Sequence, residues 1–115
     1  MDMVAVSIGN AHGTYTAPPN LDMALLDRLR EATGIPLVLH GGSGTPEPAL
    51  AEGIRRGLAK VNVASELVKA VRDTLLQRWR QHETRWVPLA MAESMQALAV
   101  VVERWCRITG AAGKA

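Results

Sequence analysis

The sequence predicts an α/β fold in which three parallel strands alternate with helices. Three short apolar segments have the character of strands, each is followed by a stretch with helical spacing, and a further helical stretch comes last. The resulting order is βαβαβαα, and strands that alternate with helices form right-handed parallel crossovers. Because parallel strands end at the same edge of a sheet, the polar loops that follow the three strands are expected to meet there.

Length and composition are those of one globular domain over residues 1–115. Of these residues, 48% are hydrophobic, 21% are charged and none is Phe, so the core must rest on aliphatic side chains and Met. Three parallel strands cannot close a barrel, and a (β/α)₈ barrel typically has about 250 residues. If the chain belongs to such a barrel, its 115 residues make up less than half of the barrel.

Charge and cysteine content exclude several classes of protein. The net charge is +2, and basic residues alternate with acidic ones, as over residues 27–31, so no nucleic-acid footprint is expected. Cys106 is the single cysteine, which rules out an internal disulfide and fits a reducing compartment. No apolar run is long enough to cross a membrane and no leader opens the chain, so we expect a cytoplasmic protein without a membrane partner.

The first half contains two strands around one helix. Residues 4–8 form a β-branched run that we expect to be a strand buried on both faces. A helix is predicted over residues 21–32, with Asn20 as its N-cap and Gly34 as the glycine that ends it. The second strand is predicted at residues 37–39.

A second helix and the third strand follow. Thr45, Pro46 and Glu47 are typical of an N-cap, a first-turn proline and an acidic first-turn residue, and the helix is expected to run to about Arg56. The third strand is predicted at residues 61–63.

Two amphipathic helices complete the chain. Ser65 caps the first, a polar break over residues 82–85 separates them, and the last covers residues 88–108. Their apolar stripes need a partner, which is either the other helix or the outside of a barrel. The stripes consist of Leu67, Val68, Val71, Leu75 and Trp79, and of Met91, Met95, Leu98, Val102 and Trp105.

Two histidines stand in the same local context. His12 and His40 each follow a predicted strand and precede a glycine. Neighbouring parallel strands lie about 4.8 Å apart, so the two imidazoles could converge on one Zn²⁺ ion. For a single histidine, a hydrogen bond to loop backbone would be the better explanation. The repeated strand-histidine-glycine pattern favours a metal.

The turn after the second strand is suited to bind an anion. Gly41, Gly42 and Gly44 let backbone N–H groups approach a ligand, Ser43 adds a hydroxyl, and a helix begins just beyond. The pattern is neither a P-loop nor a GxGxxG element, so a nucleotide is not expected. A plain flexible turn is the alternative. Residues 62–65 also lead into a helix, so two helix starts could face one phosphate.

Three segments resemble the C-terminal strand motifs of class II, zinc-dependent ketose-bisphosphate aldolases, which include fructose- and tagatose-bisphosphate aldolases. These segments are residues 8–15, 37–44 and 60–67, and they occur in order at the family's separations. Residues 19–22 resemble the family's entry to the next helix, and residues 110–115 resemble the tail of the tagatose branch. The resemblance implies the C-terminal portion of a TIM (β/α)₈ barrel, about strands 6–8 with their helices.

The resemblance also implies roles for individual residues. His12 and His40 would be two of three ligands of a Zn²⁺ cofactor, and Asn62 would lie near the reacting centre. The reaction would be reversible aldol cleavage of a ketose 1,6-bisphosphate to dihydroxyacetone phosphate and glyceraldehyde 3-phosphate, in enzymes that form homo-oligomers. Dihydroxyacetone phosphate would be held by Gly13, Gly41, Gly42, Ser43, Asn62, Val63, Ala64 and Ser65.

One part of the family pattern is missing. The acid–base aspartate and the third histidine ligand form an Asp-His pair in the family's N-terminal half, and no aspartate here precedes a histidine. The chain therefore looks like a C-terminal fragment that lacks a general acid/base. The alternative function is a catalytically inactive remnant, or an assembly subunit, that retains phosphate binding.

Overall fold

The structure, a computed structural model, describes residues 1–11, 13, 16–81 and 86–114. The predicted order βαβαβαα is confirmed, and the chain forms two compact units, Met1–Ala64 and Ser65–Ala115. The elements are β1 (Val4–Val6), α1 (Met23–Thr33), β2 (Leu37–Leu39), α2 (Glu47–Arg55), β3 (Leu58–Val61), α3 (Ser65–Gln81) and α4 (Val87–Ile108).

The first unit contains a three-stranded parallel sheet in the order β1-β2-β3. Val4 pairs with Leu37 and Leu37 pairs with Leu58, while the register between β2 and β3 shifts after Leu37. All three residues of β2 are buried, which is typical of a parallel strand covered on both faces. The parallel pairing places the three strand ends at one edge of the sheet.

Strand β1 is shorter and more exposed than the sequence predicts. It ends at Val6 because the backbone of Ile8 serves the following loop: its carbonyl accepts the Asp22 N–H at 2.7 Å, and its N–H donates to Asn10. Ala5 is exposed, so the prediction of burial on both faces is wrong for β1, which has only β2 beside it in the described sheet. The Ile8 side chain is nevertheless fully buried.

Helix α1 begins two residues after its predicted start. The Asp22 carboxylate, not Asn20, caps it by accepting the Leu25 N–H at 2.8 Å. The Asp22 N–H is itself fixed by Ile8, and this tertiary contact determines where the helix begins. Gly34 ends α1 as predicted, with a left-handed φ of 63° and its N–H donating to Arg30 O.

Helix α2 and strand β3 also differ from the predicted bounds. Thr45 is not the N-cap, because its side-chain oxygen is buried and accepts no hydrogen bond from the described residues, while its N–H closes a turn onto the Gly42 carbonyl at 3.1 Å. Pro46 takes the cap position without a side-chain bond. Strand β3 begins at Leu58, three residues before its predicted start, since the pairing with β2 runs from Leu58 to Val61.

Ionic contacts join α2 to α1. Arg56 donates to Glu52 and, at 2.5 Å, to Asp27 on α1, while Arg55 also donates to Glu52. The hydrogen bond from Arg56, followed by that from Arg55, holds the pKa of Glu52 below its ordinary value of 4.5. The paired carboxylate therefore favours the folded state at neutral pH.

In the second unit, α3 packs against α4. Ala90, Ser94 and Trp105 are its buried side chains, and the Trp105 indole donates to Glu66 at 3.0 Å. Met91 and Met95 stay exposed, so much of the predicted stripe on α4 lies outside the packed face. The polar break over residues 82–85 lies outside the described residues. Among the described helices, none combines the length and hydropathy needed to cross a membrane.

The capping assignment can be tested with two alanine variants. Asp22→Ala should reduce the free energy of unfolding by about 1 kcal/mol, because it removes the acceptor for the Leu25 N–H. Asn20→Ala, at the position that the sequence alone favours, should leave stability unchanged. Urea unfolding followed by circular dichroism measures both, and an equal loss in the two variants would contradict the assignment.

The Glu52 contacts predict a pH dependence of stability. Because the folded-state pKa of Glu52 is lowered, its stabilisation is complete above about pH 4.5 and is lost as the pH falls through the lowered value. Glu52→Gln should therefore be less stable than the wild type at pH 7, and the difference should shrink toward pH 3. Glu31→Gln, at an exposed α1 residue without an ion pair in the described part of the chain, is the control. A difference that does not change with pH would contradict the prediction.

Candidate functional site

The carboxyl ends of the three strands define the candidate site. His40 follows β2 directly and Asn62 follows β3 directly, while the loop after β1 contains Asn10. In a parallel sheet these ends share one edge, and this edge is where open α/β sheets and barrels bind their ligands. Within the first unit, the structure brings the ends of β2 and β3 together.

Backbone hydrogen bonds clamp the glycine turn to the end of β3. The Gly42 N–H donates to the Asn62 carbonyl at 2.7 Å, and the Asn62 N–H donates to the Leu39 carbonyl at 2.9 Å. The backbone of Asn62 is thereby held by the end of β2 on one side and by the turn on the other.

The clamp requires glycine at position 42. A Cβ atom there would lie 2.4 Å from Val61 Cγ1 and 3.1 Å from the Asn62 carbonyl oxygen, so no side chain fits without a shift. On either side of this close approach, Gly41 and Gly44 have left-handed φ values of 72° and 79°. The glycines predicted to shape an anion site thus form a compact turn with a defined backbone.

Ser43 adds a side-chain link to the clamp. It is 6% exposed, and its hydroxyl oxygen accepts the Ala64 N–H at 3.2 Å. Val63 is half-buried and Ala64 is exposed, while Ser65 begins α3 and belongs to the second unit. Of the predicted phosphate-binding residues, Gly41, Gly42, Ser43 and 62–64 are therefore together in the first unit.

The backbone around His40 is fixed by Asn10. The Asn10 carboxamide accepts the Ile8 N–H at 2.9 Å through Oδ1 and donates to the His40 carbonyl through Nδ2. One side chain thus ties the loop after β1 to the end of β2. The His40 side chain is exposed.

The second predicted metal ligand is His12. His12 lies outside the described residues, and its neighbour Gly13 is exposed with a φ of 102°. Over residues 1–11, 13, 16–81 and 86–114, no three His, Cys, Asp or Glu side chains group as in a metal site. The convergence of His12 and His40 on one ion stays a prediction.

Sequence reasoning missed two residues at this edge. Asn10 was available in the segment that contains His12, as the polar residue two positions earlier. Lys60 was missed because the third strand was predicted to begin at Val61. With β3 at Leu58–Val61, Lys60 lies two residues before Asn62, a spacing that puts both side chains on the same side of an extended chain.

Comparison with known proteins identifies the class to which the fold and site belong. The family model for class II fructose-bisphosphate aldolase matches residues 1–114. The chain therefore belongs to this family, and the resemblance noted in the sequence is confirmed.

Solved structures show the same fold. The YdjI aldolase from Escherichia coli K12 is 32% identical with a TM-score of 0.87, over 99% of this chain and 42% of that one. A protein from Coccidioides immitis is 30% identical with a TM-score of 0.82, over 99% of this chain and 40% of the other. The fructose-bisphosphate aldolase of Campylobacter jejuni, at 16% identity, shares the fold with a TM-score of 0.72, over 92% of this chain and 39% of its own length. The chain spans about two-fifths of each of these proteins.

The close approach at Gly42 predicts a rescue experiment. Gly42→Ala should lower the free energy of unfolding by about 1–3 kcal/mol, as overpacking commonly does. Val61→Ala removes Cγ1, so the double variant should lose less stability than the two single variants added together. Strict additivity in urea unfolding would show that the turn does not approach β3 as described.

Proposed function

We propose that this chain is the C-terminal portion of a TIM barrel, with β1–β3 as barrel strands 6–8, from a zinc-dependent class II aldolase. The reaction is reversible cleavage of a fructose or tagatose 1,6-bisphosphate to dihydroxyacetone phosphate and glyceraldehyde 3-phosphate. The family match and the parallel sheet support the barrel. The observation that carries the proposal is the glycine turn clamped to Asn62 at the carboxyl edge of the sheet.

In this proposal, residues 41–43 and 62–64, with Gly13, hold the phosphate of dihydroxyacetone phosphate. The Gly42 N–H already donates to Asn62, so Gly42 shapes the site while other backbone donors bind the anion. The start of α2 contributes little, because Pro46 and Pro48 have no N–H and Glu47 is acidic. The Val63 N–H makes no hydrogen bond to any described residue and is a donor suited to this role.

Histidine is a suitable zinc ligand, but two histidines are fewer than a catalytic zinc site needs. Imidazole nitrogen is a preferred zinc ligand, and a catalytic zinc usually takes three protein ligands. We propose His12 and His40 as two of them, with the third supplied from outside this chain. When bound, the metal would act as a Lewis acid on the substrate ketone.

The residues of this chain bind and orient the substrate. Holding the phosphate fixes the position of the reacting carbon, so binding energy remote from that carbon lowers the entropic part of the barrier. Asn62 lies next to the turn and supplies a carboxamide near that carbon. Proton transfer requires an acid–base group, which the family resemblance assigns to an aspartate outside these residues.

A second candidate is a non-catalytic subunit that binds phosphate and assembles with barrel subunits. The sheet favours it, because β1 and β3 each have one neighbour in the described part of the chain and so offer a free edge for pairing. The two candidates differ in whether a completed site turns over substrate.

Co-expression with the N-terminal part of the Escherichia coli relative, the part that the proposed assignment of strands 6–8 leaves to be supplied, tests the proposal. The purified complex should release dihydroxyacetone phosphate from fructose or tagatose 1,6-bisphosphate, lose this activity with a chelator and regain it with zinc. His40→Ala should lower activity to background because it removes a metal ligand, whereas Arg107→Ala, at an exposed α4 residue, should have no effect.

The outcome also separates the two candidates. A folded complex that binds inorganic phosphate but releases no product with either sugar would contradict the aldolase and support the assembly subunit. A folded complex that binds neither phosphate nor zinc would contradict both candidate functions.

A further inference from the structure

A lysine and an asparagine lie side by side at the end of β3. The Lys60 ammonium donates a hydrogen bond to Asn62 Oδ1. Alternate residues of an extended chain project to the same side, so the contact follows from the two-residue spacing. Both side chains therefore belong to the carboxyl edge that carries the glycine turn.

The backbone of Asn62 cannot adjust independently of this contact. Its N–H is held by Leu39 and its carbonyl by Gly42, as described for the clamp. With the backbone held on both sides, the orientation of the carboxamide depends on the contacts of the side chain alone. Among the described residues, Lys60 provides the one hydrogen bond that this side chain makes.

The chemistry of lysine determines which way the carboxamide points. An ammonium group only donates hydrogen bonds, so the atom facing it must be the amide oxygen. The Nδ2 group then lies on the opposite side, with two N–H donors that have no acceptor in the described part of the chain. A charged donor on the oxygen also polarises the amide and strengthens Nδ2 as a donor.

We propose that Lys60 is a positioning residue of the aldolase site. It orients the Asn62 carboxamide so that Nδ2 donates to the oxygen on the reacting carbon of dihydroxyacetone phosphate, where negative charge develops. Lys60 acts through Asn62 and does not itself contact the substrate. The inference rests on the proposed function, because it assumes that Asn62 faces the reacting carbon.

Stability alone is a weak reason for this contact. Lys60 is exposed, and exposed pairs of this kind contribute little to folding because water competes for both partners. A donor oriented before the reaction, in contrast, stabilises developing charge without reorganisation during the step. Substitution of Lys60 should therefore leave the fold intact and change the orientation of the Asn62 carboxamide.

The first test is nuclear magnetic resonance of the ¹⁵N-labelled chain. Lys60→Met, which keeps the length but removes the charge, should shift the Asn62 Nδ2 signals, and Lys60→Arg should largely restore them. Lys69→Met, which breaks the exposed contact of Lys69 with Asp73 on α3, is the matched control and should leave them unchanged. Unaltered Asn62 signals in Lys60→Met would overturn the proposal whether or not the protein is an aldolase.

The second test uses the complex with the N-terminal part of the relative. Lys60→Met should lower kcat about tenfold or more, as for loss of an oriented donor, and Lys60→Arg should recover most of it. KM should change by less than about twofold, because phosphate binding is intact. An unchanged kcat, or a change in KM alone, would overturn the positioning role. If the wild-type complex is inactive, the proposed function fails, and the Asn62 signals alone decide whether Lys60 orients this side chain.

Discussion

The hydrogen bond from the Gly42 N–H to the Asn62 carbonyl is the contact on which the candidate site depends. An amide hydrogen bond adds only about 0.5–1.5 kcal/mol to stability, so it could not hold a loop in place alone. It is supported by the Asn62 bond to Leu39 and by the Ser43 hydroxyl on Ala64. Together these contacts join the ends of β2 and β3 to the glycine turn. Glycine at position 42 makes the close approach of the turn to β3 sterically feasible.

Local patterns were enough to predict the order of elements, β2 and the end of α1. The end of α1 at Gly34 depends on the local backbone, where glycine readily takes the left-handed conformation. Strand β2 is recognisable because all three of its residues are apolar, in keeping with their burial. The start of α1 could not be predicted from the sequence. Asn20 and Asp22 are both good caps, and the choice between them comes from the Ile8 carbonyl, a contact between distant parts of the chain.

The site was predicted in composition but not in detail. The glycine turn was recognised because its residue types indicate chemistry, and Asn62 because of the family resemblance, whereas Asn10 and Lys60 act through contacts that appear only once the strand ends are adjacent. The true start of β3 shows the same limit. Lys60 is polar and interrupts the apolar run, yet pairing with Val38 keeps it in the strand.

The position of the tryptophans has a practical consequence for biophysical work. Trp79, Trp86 and Trp105 all belong to the unit Ser65–Ala115, so intrinsic tryptophan fluorescence reports only on this second unit, which contains α3 and α4. Trp105 is buried and bonded to Glu66, while the other two are exposed; the emission shift on unfolding will come mainly from Trp105. If the unfolding transition followed by tryptophan fluorescence does not coincide with the one followed by far-ultraviolet circular dichroism, the units Met1–Ala64 and Ser65–Ala115 unfold separately.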